Sequence, residues 1–203
     1  MSEFDSRARD WDKNPIHTER TEAIAKEIQK QIPLNASMKG MEFGAGTGLL
    51  SFALNKSLAS ITLIDNSKEM IEVTKEKIQQ TGITNLIAIV LNLEHEDYPG
   101  GFDLIFSQMV FHHVENIGIV IGKFHAMLRD KGYVAIADLY PEDGSFHGDG
   151  FTGYKGFDPE QLGQKLLDRG FKSVKHNQCF VIKRDNGEGK IQEFPVFLLV
   201  AQK

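Results

Sequence analysis

Cysteine is scarce in this sequence of 203 residues: Cys179 is the only one, so the chain cannot form an internal disulfide. Long apolar runs are missing as well. The uncharged stretches 104–114 and 194–202 give eleven and nine residues, whereas a membrane-spanning helix needs roughly 20. The start of the chain, Met1-Ser-Glu-Phe-Asp-Ser-Arg, has no apolar core of a signal peptide. These absences favour a cytoplasmic protein with no membrane partner.

An excess of positive charge is also absent. The chain has 23 Lys and Arg residues against 28 Asp and Glu residues, a net charge of −5, and no basic run longer than two residues. Nucleic-acid binders usually show a basic excess or stripe, so we expect no nucleic-acid partner. Hydrophobic residues at 41% and charged residues at 25% are close to globular averages, and the length predicts one folded domain.

Strand-like and helix-like apolar patterns alternate along most of the chain. We predict strands at 39–43, 60–65, 86–91, 102–107 and 133–139, and helices at 18–32, 47–55, 67–80, 117–128 and 158–170. This alternation is typical of an α/β domain with a mainly parallel sheet. Two further β-like runs, 171–184 and 191–201, flank Asn186-Gly187, a dipeptide that favours a primed hairpin turn. The core is therefore expected to end in an antiparallel hairpin.

The most informative segment contains Gly44, Gly46 and Gly48 and lies between a predicted strand and a predicted helix. Glycine at alternate positions lets the backbone turn sharply and approach a ligand closely. In the dinucleotide fingerprint the third glycine follows the second by three residues, whereas here it follows by two. Glu42 precedes the first glycine by two residues, and a carboxylate there would repel a pyrophosphate but attract an ammonium group.

The segment Glu42-Phe-Gly44-Ala-Gly46-Thr-Gly48 resembles motif I of the class I methyltransferases that depend on S-adenosylmethionine (SAM). The resemblance implies a Rossmann-like, seven-stranded, mostly parallel sheet with helices on both faces and a C-terminal antiparallel hairpin. It also implies a single methyltransferase domain over residues 1–203, SAM as cofactor and S-adenosylhomocysteine as product. Asp65, 21 residues after Gly44, matches the family's acidic residue that binds both ribose hydroxyls.

Further SAM contacts are implied by the same resemblance. Asn92 and Leu93 fall where the family binds adenine, although the family usually has Asp in place of Asn92. The amide oxygen of Asn92 can still accept a hydrogen bond from the adenine amino group. Arg20 is the candidate partner of the methionine carboxylate. The remaining cofactor residues expected on this basis are Trp11, Ala45, Thr47, Asn66, Met70, Ser107 and Gln108.

The chemistry is expected at residues 107–113, after the fourth strand. The Asn/Asp-Pro-Pro-aromatic loop of amino methyltransferases and a nearby cysteine are both absent, which excludes amino-base and covalent cytosine methylation. What remains is a direct in-line attack of the acceptor on the methyl group of SAM. Positioning should provide most of the rate acceleration, with at most one general base. His112 and His113 are the catalytic candidates. We expect residues 108–113 to begin a helix. His112 ranks first because, four residues after Gln108, it would share a face of that helix with it. Alternatively, the two histidines only pack between helix and sheet. No metal site is expected.

Two aromatic segments are candidate lids. One is 4–14, which contains Trp11 and belongs to an N-terminal lid and helix at 1–33; the other is a substrate-side loop at 143–157. The loop carries the aromatic or imidazole side chains of Phe146, His147, Phe151, Tyr154 and Phe157. Together these segments predict a closed pocket for a small, mostly apolar or aromatic acceptor. Alternatively, the loop is a mobile surface segment whose aromatics only fill the edge of the core.

Two other functions remain open at this stage. A catalytically silent partner or SAM-binding subunit would keep the fold without the reaction, but the intact glycine set and Asp65 argue against it. An NAD-dependent oxidoreductase is disfavoured by the glycine spacing. The identity of the acceptor does not follow from the fold.

Overall fold

The computed structural model describes residues 4–185 and 189–203 of the chain. Its strands are β1 (Lys39–Phe43), β2 (Ser60–Asp65), β3 (Leu86–Val90), β4 (Phe102–Gln108), β5 (Leu128–Leu139), β6 (Lys172–Asp185) and β7 (Ile191–Gln202). Its α-helices are α1 (Pro15–Gln31), α2 (Leu49–Leu54), α3 (Lys68–Thr81), α4 (Ile117–Met127) and α5 (Pro159–Asp168). Short 3₁₀ helices cover Asp5–Lys13, Asn55–Ser57 and Phe111–His113.

The described strands form one seven-stranded sheet in the order β3-β2-β1-β4-β5-β7-β6. Strands β1 to β5 pair parallel with one another, and β7 pairs antiparallel with both β5 and β6. This confirms the predicted mostly parallel sheet with a C-terminal antiparallel hairpin. The chain order reverses between β1 and β4, which is the point where open α/β sheets bind ligands at the carboxyl ends of their strands.

Helices cover both faces of the sheet, because alternate strand residues point to opposite sides. Ile105 of β4 packs in one core with residues of α4 and α5, such as Phe124 and Leu166. Leu104 of the same strand packs in a second core with residues of α1 and α2, such as Ile28. None of the helices in the described residues is long and apolar enough to cross a membrane.

Several predicted element boundaries were wrong. Strand β5 begins at Leu128 rather than at 133, and three helices differ for reasons that the structure shows. Helix α1 begins at Pro15 rather than at 18, because Asn14 caps it by accepting a hydrogen bond from the backbone N–H of Ile16. Helix α2 begins at Leu49 rather than at 47, because Gly48 has left-handed backbone angles (φ +81°). Helix α4 ends at Met127, since β5 begins at the next residue. The predicted turn at Asn186-Gly187 lies outside the described residues.

Candidate active site

A cavity of about 1130 Å³ opens at the carboxyl ends of the parallel strands. One end is lined by the loop after β1, by Asp65 at the end of β2 and by residues after β3. The other end is lined by Gln108 of β4, by His112 and His113, and by residues 146–154. The N-terminal segment contributes Phe4 and Trp11. Single-ligand pockets measure roughly 300–1,000 Å³, so this cavity has room for two small molecules side by side.

The three loop glycines have different roles, although all have left-handed φ values of +65°, +54° and +81° at Gly44, Gly46 and Gly48. A Cβ atom added to Gly44 would lie 2.5 Å from Val110, and one added to Gly48 would lie 2.9 Å from Leu63. Those two glycines are therefore required by packing within the protein. A Cβ atom on Gly46 would meet only the Met70 sulfur, at 3.9 Å, so this glycine leaves open space toward the cavity.

Asp65 connects the glycine loop to the end of β2. Its Oδ2 atom accepts a hydrogen bond from the backbone N–H of Gly46 at 2.7 Å, and its Oδ1 atom accepts one from the N–H of Ser67 at 2.8 Å. Burial raises the pKa of Asp65, whereas these two backbone donors oppose the rise. The carboxylate lines the cavity and is held in place by the residues on either side of it.

An Asp65→Ala chain is expected to bind SAM about ten- to hundredfold more weakly than the wild type, because a charge-assisted hydrogen-bond acceptor for the ribose is lost. Isothermal titration calorimetry with SAM measures this, and circular dichroism checks that the variant is folded. Asp130→Ala removes an exposed carboxylate that does not line the cavity and is the matched control. Unchanged SAM affinity in a folded Asp65→Ala chain would remove Asp65 from the binding site.

Glu42 lies beneath the loop rather than in the cavity. Its side chain is fully buried, and its Oε2 atom accepts hydrogen bonds from the backbone N–H and the hydroxyl of Ser51. Burial raises the pKa of Glu42 to about 8, so the group is mostly protonated at neutral pH. It is not among the described residues that line the cavity. The structure therefore does not place Glu42 against a ligand's ammonium group; it places it under the first turn of α2.

Glu42→Gln is expected to change how stability depends on pH. The pKa is about 8 in the folded chain and 4.5 for a glutamate exposed to water, as in the unfolded chain, so wild-type stability relative to the variant falls as pH rises through this window. From pH 5 to pH 8 the difference should amount to roughly 3 to 5 kcal/mol. Urea unfolding at several pH values measures it. Glu19→Gln, at an exposed position of α1, should keep the wild-type profile, and parallel profiles for wild type and Glu42→Gln would contradict the prediction.

The N-terminal segment brings Trp11 to the cavity and α1 brings Arg20, where both meet the lining that includes Gln108 of β4. Arg20 is 6% exposed, and its Nε atom is buried with no hydrogen-bond partner in the described part of the chain. Burial lowers its pKa to about 10, which leaves a cation at neutral pH. The Trp11 ring stacks on His17 with ring centroids 4.3 Å apart. Gln108 is oriented by the Thr21 hydroxyl, which donates a hydrogen bond to it at 3.0 Å.

The remaining expected cofactor residues divide between two locations. Ala45, Asn66, Met70, Asn92 and Leu93 line the cavity. The Asn92 side-chain oxygen accepts a hydrogen bond from the backbone N–H of Glu94 at 3.0 Å, so it shapes the turn after β3. Thr47, Gly48 and Ser107 do not line the cavity within residues 4–185 and 189–203. The Thr47 hydroxyl instead donates to Asp12 at 2.5 Å, which ties the glycine loop to the N-terminal segment.

The expected helix over 108–113 is wrong. Strand β4 continues through Gln108, Met109 has a left-handed φ of +56°, and Phe111–His113 forms only a 3₁₀ turn. Gln108 and His112 therefore do not share a helix face. Both still line the cavity, because a strand end and the turn that follows it point into the same crevice.

His112 is held by a buried carboxylate. Its Nδ1 atom lies 2.6 Å from Oδ1 of Asp138 on β5, and both side chains are almost completely buried. This contact fixes the orientation of the imidazole and leaves Nε2 on the side of the ring away from the carboxylate. His113 is adjacent, with its ring centroid 4.3 Å from that of His112. Burial, together with the neighbouring His112, lowers the pKa of His113 to about 3.

The loop at 143–157 packs against the edge of the core and also lines the cavity. Phe146 is buried against Phe194, with ring centroids 5.1 Å apart, and so fills the edge of the core. His147 and Phe151 line the cavity, and their rings stack with centroids 3.8 Å apart. The backbone N–H of Tyr154 donates to the carbonyl of His112 at 2.8 Å, which joins the loop to the histidine turn.

Residues 34–178 match the family model described as a methyltransferase domain, which is more than half of the chain. The chain belongs to the class I SAM-dependent methyltransferase family. An uncharacterized methyltransferase of Schizosaccharomyces pombe is 29% identical over 144 residues, which is 63% of this chain and 51% of that protein. The chain spans about half the length of the first curated relatives that it matches.

Solved structures of methyltransferases share the fold. The methyltransferase complexed with a methyltransferase activator of Haloferax volcanii superposes with a TM-score of 0.79 at 16% identity, covering 100% of this chain and 98% of that one. Phosphoethanolamine N-methyltransferase 2 of Haemonchus contortus, solved with SAM, superposes with a TM-score of 0.71 at 15% identity. The superposition covers 88% of this chain and 52% of that one. At these identities the likeness shows the fold alone.

Sequence reasoning missed several residues of this methyltransferase cavity. Asp138 carried a usable signal, since it is the single acidic residue in the apolar predicted strand 133–139. Arg7, His17 and Arg184 also line the cavity, but nothing local distinguishes them from other charged or polar residues of their segments. Arg184 comes from β6, and its guanidinium lies over the Phe146 ring at 4.0 Å. Only the antiparallel hairpin brings it to the site.

Proposed function

We propose that the chain binds SAM at the glycine-loop end of the cavity and transfers its methyl group to a small molecule at the histidine end. The observation that carries this proposal is the single cavity of about 1130 Å³ that joins the two ends. We place the protein in the cytoplasm, as one methyltransferase domain at 1–203 with lids at 1–33 and 143–157. The single Cys179 is compatible with that compartment.

The residues present fit SAM in three respects. The open space above Gly46 allows a ligand to lie against the backbone. The buried Arg20 has an unpartnered Nε atom among the described residues, as a partner of the methionine carboxylate requires. Asp65, Asn92 and Leu93 all line the cavity; we place the ribose at the Asp65 carboxylate and the adenine at Asn92 and Leu93. Bound SAM would supply an electrophilic methyl group carried on a sulfonium.

The other end of the cavity suits a small acceptor. Rings of Phe4, His113, His147 and Phe151 surround it, and aromatic walls exclude water and position a flat or apolar molecule. His112, oriented by Asp138, is the side chain that we place at the acceptor heteroatom. The net charge of −5 disfavours a polyanion as acceptor.

Calorimetric titration with SAM, S-adenosylhomocysteine and NAD tests the cofactor. We expect binding of the first two and not of NAD, and the reverse would support an oxidoreductase. Formation of S-adenosylhomocysteine with a panel of phenols, catechols, thiols and amines then tests the acceptor. Tight SAM binding without transfer to any acceptor would favour the catalytically silent subunit. RNA binding that falls steeply with salt would contradict the small-molecule acceptor.

A further inference from the structure

Three histidines meet at the acceptor end of the cavity. His112, His113 and His147 each place one ring nitrogen within 4.8 Å of a ring nitrogen of the other two. The first two come from the 3₁₀ turn after β4, and the third comes from the substrate-side loop. The sequence alone predicted no metal site, since nothing in it showed that the loop returns to this turn.

Asp138 orients one of the three rings. Its Oδ1 atom lies 2.6 Å from Nδ1 of His112, which leaves Nε2 on the side of the ring away from the carboxylate. A carboxylate behind an imidazole is the usual arrangement of metal-binding histidines.

One ring nitrogen of these three histidines lacks a hydrogen-bond partner among the described residues. The Nδ1 atom of His147 is buried and has no hydrogen-bond partner in the described part of the chain. A buried polar atom without a partner is costly, by roughly 1 to 3 kcal/mol. A cation among the three rings is one arrangement that satisfies such an atom without adding a hydrogen-bond donor.

We propose that His112, His113 and His147 bind one divalent transition-metal ion of the zinc type, with Asp138 orienting His112. Three imidazoles are an established zinc ligand set that leaves a fourth position open, and here the open position faces the cavity. Zn–N distances of about 2.0–2.1 Å place tetrahedral nitrogens about 3.3 Å apart, so the rings must move closer together on binding. Gly148 and Gly150, which flank Asp149 next to His147, give the loop room to move.

The ion would define the acceptor class, a step that rests on the proposed function. A hydroxyl or thiol that binds the open position loses its proton to water more readily, because the cation stabilises the resulting anion. No oxidation or reduction is involved, since only a proton leaves and the heteroatom keeps its electron pair. The acceptor is therefore a small molecule with an O–H or S–H group rather than an amine.

Metal titration of the purified chain, after removal of bound metal with a chelator, tests the site. We expect one Zn²⁺ per chain in competition with a chromophoric chelator, and visible absorption bands on Co²⁺ titration. His113→Ala and His147→Ala should each weaken Zn²⁺ binding at least about a hundredfold, and Asp138→Asn by about ten- to hundredfold. His176→Ala is the matched control, since His176 pairs with the exposed Glu160 outside the cavity.

SAM titration of the same variants keeps the outcomes separate. Retained SAM binding shows that a variant is folded and that only the metal site has changed. Wild-type chain that binds SAM but no stoichiometric Zn²⁺, or whose Zn²⁺ binding survives all three substitutions, would overturn the metal site and leave the proposed function standing. A wild-type chain that binds Zn²⁺ but not SAM would support the metal site and overturn the proposed function. Because the wild-type titrations need no substitution, a variant that fails to fold does not remove the test.

Discussion

A Gly46→Val chain is expected to fold and to bind SAM at least a hundredfold more weakly than the wild type, a loss of about 2.7 kcal/mol or more. The added side chain would extend from a position where only the Met70 sulfur lies within 4 Å, and both residues line the cavity. It would therefore occupy the space in which the ligand must approach the backbone. Calorimetric titration with SAM measures the loss, and thermal unfolding reports the fold.

Backbone strain has to be separated from steric exclusion, because Gly46 has a φ of +54° and a β-branched residue is strained there. Gly82→Val is the matched control. Gly82 has a similar φ of +67°, has nothing within 4 Å of an added Cβ among the described residues, and ends α3 outside the cavity lining. Both variants should lose similar stability, and only Gly46→Val should lose SAM binding. If Gly46→Val unfolds while Gly82→Val does not, Gly46 serves the turn rather than the ligand.

The second large effect concerns the substrate-side loop. We expect the combined substitutions Asp149→Ser, Phe151→Ser and Thr152→Ser to lower kcat/KM for the acceptor about a hundredfold while SAM affinity changes by less than about threefold. The Phe151 ring stacks on His147 and lies 5.3 Å from His113, so its loss opens the acceptor end to water. The loop keeps its length, and Phe146 remains in the core.

The measurement uses an acceptor found in the panel and follows the formation of S-adenosylhomocysteine. Lys155→Ser is the matched control, because Lys155 belongs to the same loop but does not line the large cavity in the described residues. Its kcat/KM should stay at the wild-type value. A triple variant with unchanged turnover would leave this loop segment without a role in acceptor binding, and one with lost SAM affinity would place it at the cofactor end.

Much of the fold could be predicted from the sequence because its signals are local. The strand ranges 39–43 and 60–65 agree with β1 and β2, since apolar periodicity and flanking turn residues act over a few positions. The helix expected over 108–113 was wrong because a contact distant in the chain decides the conformation there. The segment contains no Gly or Pro that would interrupt a helix, but the pairing of β4 with β5 keeps Gln108 in a strand.

The candidate site shows where local signals end. Glu42 has the sequence position of a ligand contact, yet the sheet buries it against Ser51. Gly44 and Gly46 are equivalent in the sequence, but Val110 lies next to the first and open space next to the second. These differences depend on residues that are distant in the chain, so no pattern within the loop predicts them.

By itself, the sequence determined the alternation of strands and helices, the glycine loop after β1, and the acidic residue at the end of β2. Each of these follows from side-chain periodicity or from backbone freedom within a few residues. Only the tertiary structure decided that Asp138 holds His112 and that His147 joins the histidine turn. Those contacts join β5 and a later loop to the turn after β4, and they form because strand order and loop closure bring distant segments together.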